Sequence, residues 1–395
     1  MDRFDERVNR DGLANLKHEY TAPEIRAEGI EAFNAAEMDF PTAPCIQRAL
    51  HAMVDRGIFG FTIQTPEYNA RIAWWMKETR GMEIDPEWIV PAMGTIFSVA
   101  TALRMTCAGG GRLMVLTPVY YRYEQAAHRM GLQTVQVPLH NDGERFTIDF
   151  EALERAMADP DNRLLVLCNP HNPTGNVWGE RDLRRIAALS AKYRKVVFSD
   201  EIFANDAFDG RTVTPYIAIE EGRPYAMTCI SLGKSFNYTG VNHADVLIPD
   251  AALRERYSAQ KYADHFGSIG PFEYTSVMAA YTPEGRDWQQ KSLAYMDGNR
   301  RIVEEFFRTR LAPNKVYPME GAFVGFIQWR GLKLKGEALH RFLEKEAMAV
   351  LEPGDHYAQA YAGYSRINLG STHEQTLALL ERIEAAIRRH PEVRA

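Results

Sequence analysis

A chain of 395 residues is too long for one simple core and suits a large domain with a smaller one beside it. Its 46% hydrophobic and 25% charged residues, without biased tracts, exclude an intrinsically disordered chain. A net charge of -6, spread along the sequence, gives no reason to expect nucleic acid or an anionic membrane as a partner.

In chain order, residues 1–45 read as an irregular arm broken by Pro23, Pro41 and Pro44, expected to cross onto another element or subunit. The polar start, Met1 to Asp5, has no signal-like apolar core. From 46 to 290 short apolar runs alternate with helical patterns. The runs are Leu113 to Leu116, Leu164 to Cys168, Val196 to Phe198, Thr228 to Ser231 and Val246 to Ile248. Between them, Glu180 to Tyr193 places Leu183, Ile186, Ala187 and Leu189 on one helical face. Continuously apolar strands separated by helices predict an α/β domain whose largely parallel sheet is covered on both sides. A helix-rich stretch follows from Trp288 to Phe307. Residues 291–395 then carry strands at Phe323 to Trp329 and Arg366 to Leu369, and helices near Glu337 to Ala347 and Glu374 to Arg389, a small α+β domain. Cys45, Cys107, Cys168 and Cys229 are scattered, with no C-x-x-C pair, so free buried thiols in a cytoplasmic, reducing setting are expected and a metal is not.

The most informative run is Ser231-Leu232-Gly233-Lys234-Ser235-Phe236-Asn237. A lysine among small hydroxyl residues and glycine, just past a strand, is a candidate for a covalent link to an aldehyde cofactor, and burial lowers its amine pKa toward the nucleophilic form. Asp200 ends the strand Val196 to Ser199, at the carboxyl edge where open α/β sheets bind ligands. A buried carboxylate there needs a positive partner, and a pyridinium nitrogen is one; the pair points to pyridoxal 5'-phosphate. Glu201, next along, is expected to point the other way. Phosphate has two candidate holders, the helix start at Gly94-Thr95 and the Ser231 hydroxyl. Tyr120, after Thr117-Pro118, offers a ring to stack on the cofactor, though Tyr121 and Tyr123 crowd the same turn. Asn172, in the turn Asn169 to Gly175, can reach a ring hydroxyl, and Arg366 in its strand suits a substrate carboxylate.

Together these residues resemble the fold type I pyridoxal-phosphate enzymes, the aspartate aminotransferase superfamily. Within it they are most similar to the cystathionine β-lyase and cysteine-S-conjugate lyase branch typified by the maltose-regulon modulator. The likeness runs through Ala36 to Phe40, Gly57 to Gly60, Thr117 to Tyr120, Asn169 to Trp178, Ser199 to Ile202 and Lys234 to Asn237. It implies a three-layer α/β/α large domain and a homodimer with shared active sites. Lys234 would be the covalent lysine, Asp200 the ring-nitrogen partner, Asn172 a cofactor and substrate contact, Tyr120 the stacking ring and Arg366 the carboxylate clamp. Gly94, Thr95, Ile96, Ile202 and Ser231 would line the cofactor, Met38 the substrate, and Phe323 and Tyr357 the pocket. A cis bond before Pro173 is implied too. Two positions depart from the pattern: Phe61 stands where a tyrosine reaching the neighbouring subunit is usual, and Phe203 where the branch has histidine. His243 lies in a segment that does not match, close enough in sequence to reach the site. The implied activity is β-elimination from an L-amino acid carrying a sulfur leaving group. An aminotransferase uses the same residues, and a cofactor-binding regulatory protein with little catalysis is the third reading.

Overall fold

The computed structural model describes residues 3–266 and 269–395. The seven strands of its main sheet are β1 (Ile89–Ala92), β2 (Arg112–Thr117), β3 (Thr134–Pro138), β6 (Asn162–Cys168), β7 (Val196–Asp200), β8 (Ala226–Ile230) and β9 (Ala244–Leu247), a small hairpin of β4 (His140–Asn141) and β5 (Phe146–Thr147) intervening. Their order is β1-β9-β8-β7-β6-β2-β3. The β3, β2, β6, β7 and β8 run is parallel, as expected, and β9 runs antiparallel to both its neighbours.

Alternation along each strand splits the interior into two cores. Leu113, Val115, Leu164, Val166 and Phe198 face a core shared with α5 (Thr95–Cys107), α6 (Arg122–Arg129) and α9 (Ala251–Ala263). Met114, Leu116, Leu165, Leu167 and Val197 face the opposite core, shared with α4 (Pro66–Arg80), α7 (Phe150–Ala158) and α8 (Glu180–Tyr193). Both faces being covered, the strands are apolar throughout rather than alternating with polar residues. The helix expected at Glu180 to Tyr193 has those bounds.

A second, antiparallel sheet has the order β10-β11-β13-β12, from β10 (Lys315–Val316), β11 (Val324–Gln328), β12 (Glu352–Pro353) and β13 (Tyr364–Asn368). Its helices are α12 (Gly336–Ala347) and α13 (His373–Arg389). Between the sheets runs α11 (Pro283–Thr309), 27 residues long, so the boundary expected at 290 falls inside a helix. The arm is more ordered than its prolines suggest. It contains two short helices at Leu16–Glu19 and Pro23–Ala27, and its Phe33 bonds Val350 and Asn368, at 2.8 and 3.0 Å, along the second sheet. The buried Asp39 carboxylate ties the arm together, accepting from Lys17 at 2.6 Å and Arg10 at 2.9 Å. All four cysteines are buried and free.

The pleat also sorts two neighbouring acids. Glu201 projects away from Asp200, as expected, into an enclosed ion pair with Arg80 from the end of α4. Its Oε1 also accepts from Ser199 Oγ at 2.9 Å and the Tyr216 amide at 2.8 Å. A buried pair of this kind is costly to break because the remaining charge has no water to turn to. Glu201→Gln is expected to lower the unfolding free energy by about 3–5 kcal/mol in urea titration. A loss below about 1 kcal/mol would mean that the Arg80 guanidinium reaches solvent.

Candidate active site

Parallel strands bring their carboxyl ends to one edge. Cys168, Asp200 and Cys229 are in register across β6, β7 and β8, and the loops carrying the sequence motifs emerge beside them. Lys234 lies four residues past β8. Its Nζ donates to the Ala36 carbonyl of the arm at 2.7 Å and stands 5.4 Å from the Phe203 ring centre. Burial, aided by the Arg366 charge and opposed by Glu37, Asp200 and Asp206, brings its amine down to about 8.

Asp200 is almost fully buried. Its carboxylate accepts from the Tyr123 hydroxyl and from the Ile202 amide, the latter at 3.2 Å. Burial raises it to about 6 against the pull of those two donors and of the Lys234 charge. Each group therefore feels the other's charge, and each is moved toward its neutral form by a dry setting. Tyr123, one turn beyond Tyr120, is the tyrosine that touches the carboxylate. The Tyr120 ring lies perpendicular to it at 5.6 Å between centres, and burial first raises the Tyr120 phenol to about 12.

The Asn169 to Gly175 turn is fastened from several sides. His171 is neutral, its pKa lowered to about 4 by burial, and it bonds Thr174 Oγ1 at 2.9 Å and the Leu116 carbonyl at 3.3 Å. Gly175 has φ 75°, a backbone conformation that favours glycine, and a Cβ there would stand a tight 3.3 Å from the Met319 Cα. The peptide bond before Pro173 is cis, as are those before Pro118, Pro170 and Pro313. This turn presents Asn172, whose Oδ1 accepts from Arg366 at 3.1 Å. Arg366 arrives from β13 of the second sheet and also donates to the Asn34 carbonyl, while its buried Nε has no partner among the described residues. Its guanidinium lies 5.8 Å from the Tyr357 ring centre. Phe323 is buried against Phe203, 5.2 Å between centres.

At the other end, α5 begins at Gly94, whose φ of 95° suits glycine alone, and the first amides of the helix, Thr95 and Ile96, are free to meet an anion. Beside them is a cavity of about 440 Å³ lined by Ala92, Met93, Asn242 and the 59–62 loop. The Ser231 hydroxyl is engaged in its own turn, donating to the His243 carbonyl at 2.7 Å and accepting from the Gly233 amide at 3.0 Å. The His243 side chain does not reach this edge. It is enclosed with Tyr68 Oη at 3.1 Å and Asp245 Oδ2 at 3.0 Å. Met38 is also core, its backbone clasped by the Asn237 side chain at 2.9 and 3.0 Å.

The family pattern of aminotransferases of class I and II matches residues 28–383. The chain belongs to that family. It is 28% identical to cystathionine β-lyase PatB of Bacillus subtilis over 97% of this chain and 99% of that one. It is 24% identical to aromatic-amino-acid aminotransferase 2 of Thermococcus litoralis over 91% and 92% of the two chains. The structure of cystalysin from Treponema denticola, which contains pyridoxal 5'-phosphate, superposes with a TM-score of 0.93 at 27% identity, covering 98% of this chain and 99% of that one. The family is pyridoxal-phosphate-dependent, and the residues of this chain suit that cofactor. The amine and the carboxylate sit at one sheet edge, a helix N-terminus opens beside them, and Arg366 Nε is left for an added acceptor.

The sequence gives no role to Asn34 or Asp206, names Ala36 only within the Ala36 to Phe40 likeness, and names Tyr123 only as a neighbour of Tyr120. Tyr123 carries a usable signal, a tyrosine three residues after Tyr120; the arm contacts have none, because they run through carbonyl groups that every residue owns. The lowered Lys234 amine is uncharged above about pH 8, so capture of pyridoxal 5'-phosphate by the free chain is expected to accelerate as pH rises through about 8 and then level off in stopped-flow absorbance. An inflection at the ordinary lysine value of 10.5 would place this amine in water.

Proposed function

We propose that this family member is a carbon–sulfur β-lyase that uses pyridoxal 5'-phosphate to cleave an L-amino acid such as cystathionine or another cysteine S-conjugate. One water is consumed, and a thiol, pyruvate and ammonia leave. The observation that carries the cofactor part of this reading is the pairing of Lys234 and Asp200 in a buried pocket whose arginine, Arg366, has a donor without a partner among the described residues. The choice of elimination is supported by relatives named cystathionine β-lyase.

When bound, the cofactor supplies an electron sink for the charge left at the substrate α-carbon. Lys234 would hold it covalently until the substrate amine took its place; the freed Lys234 amine would then take the α-proton, and the resulting ammonium would protonate the departing thiolate. Asp200, steadied by Tyr123, keeps a proton on the ring nitrogen. Asn172 would bond the ring hydroxyl, Tyr120 would cover the ring, and Gly94, Thr95, Ile96, Ile202 and Ser231 would line the cofactor, the phosphate being met by the helix amides because the Ser231 hydroxyl already donates to the His243 carbonyl. Arg366 grips the substrate carboxylate. Phe203 in place of histidine keeps the lysine's surroundings apolar.

A second reading, aminotransferase, is favoured by the family itself and by relatives such as the Thermococcus enzyme. Incubation with L-cystathionine separates the two. Pyruvate release without any keto-acid acceptor is expected, and it should vanish together with the visible absorbance in Lys234→Ala. Conversion to the pyridoxamine form without pyruvate would instead establish transamination; cofactor binding without either product would favour regulation.

The loop before α4 supports a homodimer. Phe61 is 107% and Ile58 78% exposed, and Phe59 stacks on Phe272 with 6.0 Å between centres. Such an apolar loop beside the phosphate end suits burial against a second copy. Four buried free thiols suit a reducing compartment such as the cytoplasm. Sedimentation is expected to show a dimer that Phe61→Asp shifts toward monomer; a monomeric parent protein would overturn the assignment.

A further inference from the structure

Asp206 is a buried carboxylate hydrogen-bonded to Ser235, the residue after Lys234, and the chemistry above gives it no task. It is fully buried on the loop after β7. Its Oδ2 accepts from the Ser235 hydroxyl at 3.3 Å, and its Oδ1 has no partner among the described residues. Its backbone is pinned at the seam of the two sheets. The amide donates to the Phe203 carbonyl at 2.9 Å, the carbonyl accepts from the Ala322 amide at 3.1 Å, and Ala207 bridges Gly321. The acid is thus fixed directly behind the residue that follows Lys234.

The charged groups around it are few. Burial pushes its carboxyl up to about 8, against the Ser235 hydrogen bond and the charges of Lys234 and Arg80. Arg80 is already paired with Glu201. The segment packed against it from the second sheet, Gly321 to Phe323, has no titratable side chain, and α11 contributes the neutral Gln289 amide to the neighbouring Asn205 carbonyl at 2.7 Å. Lys234 in turn is influenced by Arg366 downward and by Glu37, Asp200 and Asp206 upward. A carboxyl in this setting is neutral when nothing positive faces it and ionises when the lysine nitrogen carries charge.

We propose that Asp206 is a positioning residue that anchors the Lys234 backbone through Ser235 and sets the pH at which the Lys234 nitrogen gives up its proton. This rests on Lys234 being the covalent residue. Asp200 would then serve the ring nitrogen and Asp206 the lysine nitrogen of the bound cofactor.

The test loads the parent chain, Asp206→Asn and Asp206→Glu with pyridoxal 5'-phosphate and follows the visible band near about 420 nm against pH. The Asn variant is expected to move the midpoint down by about one unit, as loss of a nearby opposite charge does, while Glu stays near the parent. If Asn is not tolerated, Asp206→Ser is read with the same expectation. A midpoint unmoved in the uncharged variant, or moved equally by Glu, overturns the proposal. Lys234→Ala is the control: a band that survives there sinks the assignment of Lys234 itself, whereas its loss, with an unmoved Asn midpoint, removes only Asp206.

Discussion

The site depends on holding one amine and one carboxylate out of water within reach of each other's charge. Desolvation, the largest influence on each, drives both toward neutrality, and the net result leaves Lys234 at about 8 and Asp200 at about 6. The protein limits that drive with donors aimed at the acid, Tyr123 and the Ile202 amide, and with a carbonyl, Ala36, that receives the amine. The outcome is a nucleophile that loses its proton at about pH 8 and an acid still able to ionise when a cation is placed before it.

That dryness is assembled from parts distant in sequence. The arm crosses over Lys234 and is itself fixed to the second sheet through Phe33 and to Asp39 through Arg10 and Lys17. The turn bearing Asn172 is held by His171 below and by the Met319 segment pressing on Gly175. Arg366 then spans the gap, joining Asn172 of the first sheet to Asn34 of the arm. A movement of the second sheet would therefore shift the carboxylate clamp and the lysine's cover together.

None of these groups distinguishes elimination from transamination, since both begin with the same proton leaving the α-carbon. The difference lies in the fate of the β-substituent. Phe203 presents an apolar face to the lysine, and a ring at 5.4 Å stabilises the protonated amine without offering a competing base. A histidine there would add a second titrating group; its absence leaves the proton traffic to Lys234 and the acids around it.

The sequence by itself determined the α/β class, the parallel strands and the motif residues at their ends, because apolar runs between helical patterns and turn-rich loops are local signals. Lys234, Asp200, Asn172 and Arg366 stood out as candidates because charged and amide groups beside apolar strands need partners, and the structure brings Arg366 against Asn172 and Lys234 within reach of the Asp200 and Arg366 charges. The tertiary structure alone decided that β9 runs antiparallel, that His243 turns inward to Tyr68 and Asp245, and that Met38 joins the core. It also decided which tyrosine meets Asp200 and that Asp206 stands behind Ser235. These depend on where a side chain points after the chain has crossed itself, and neither periodicity nor composition encodes a direction in space.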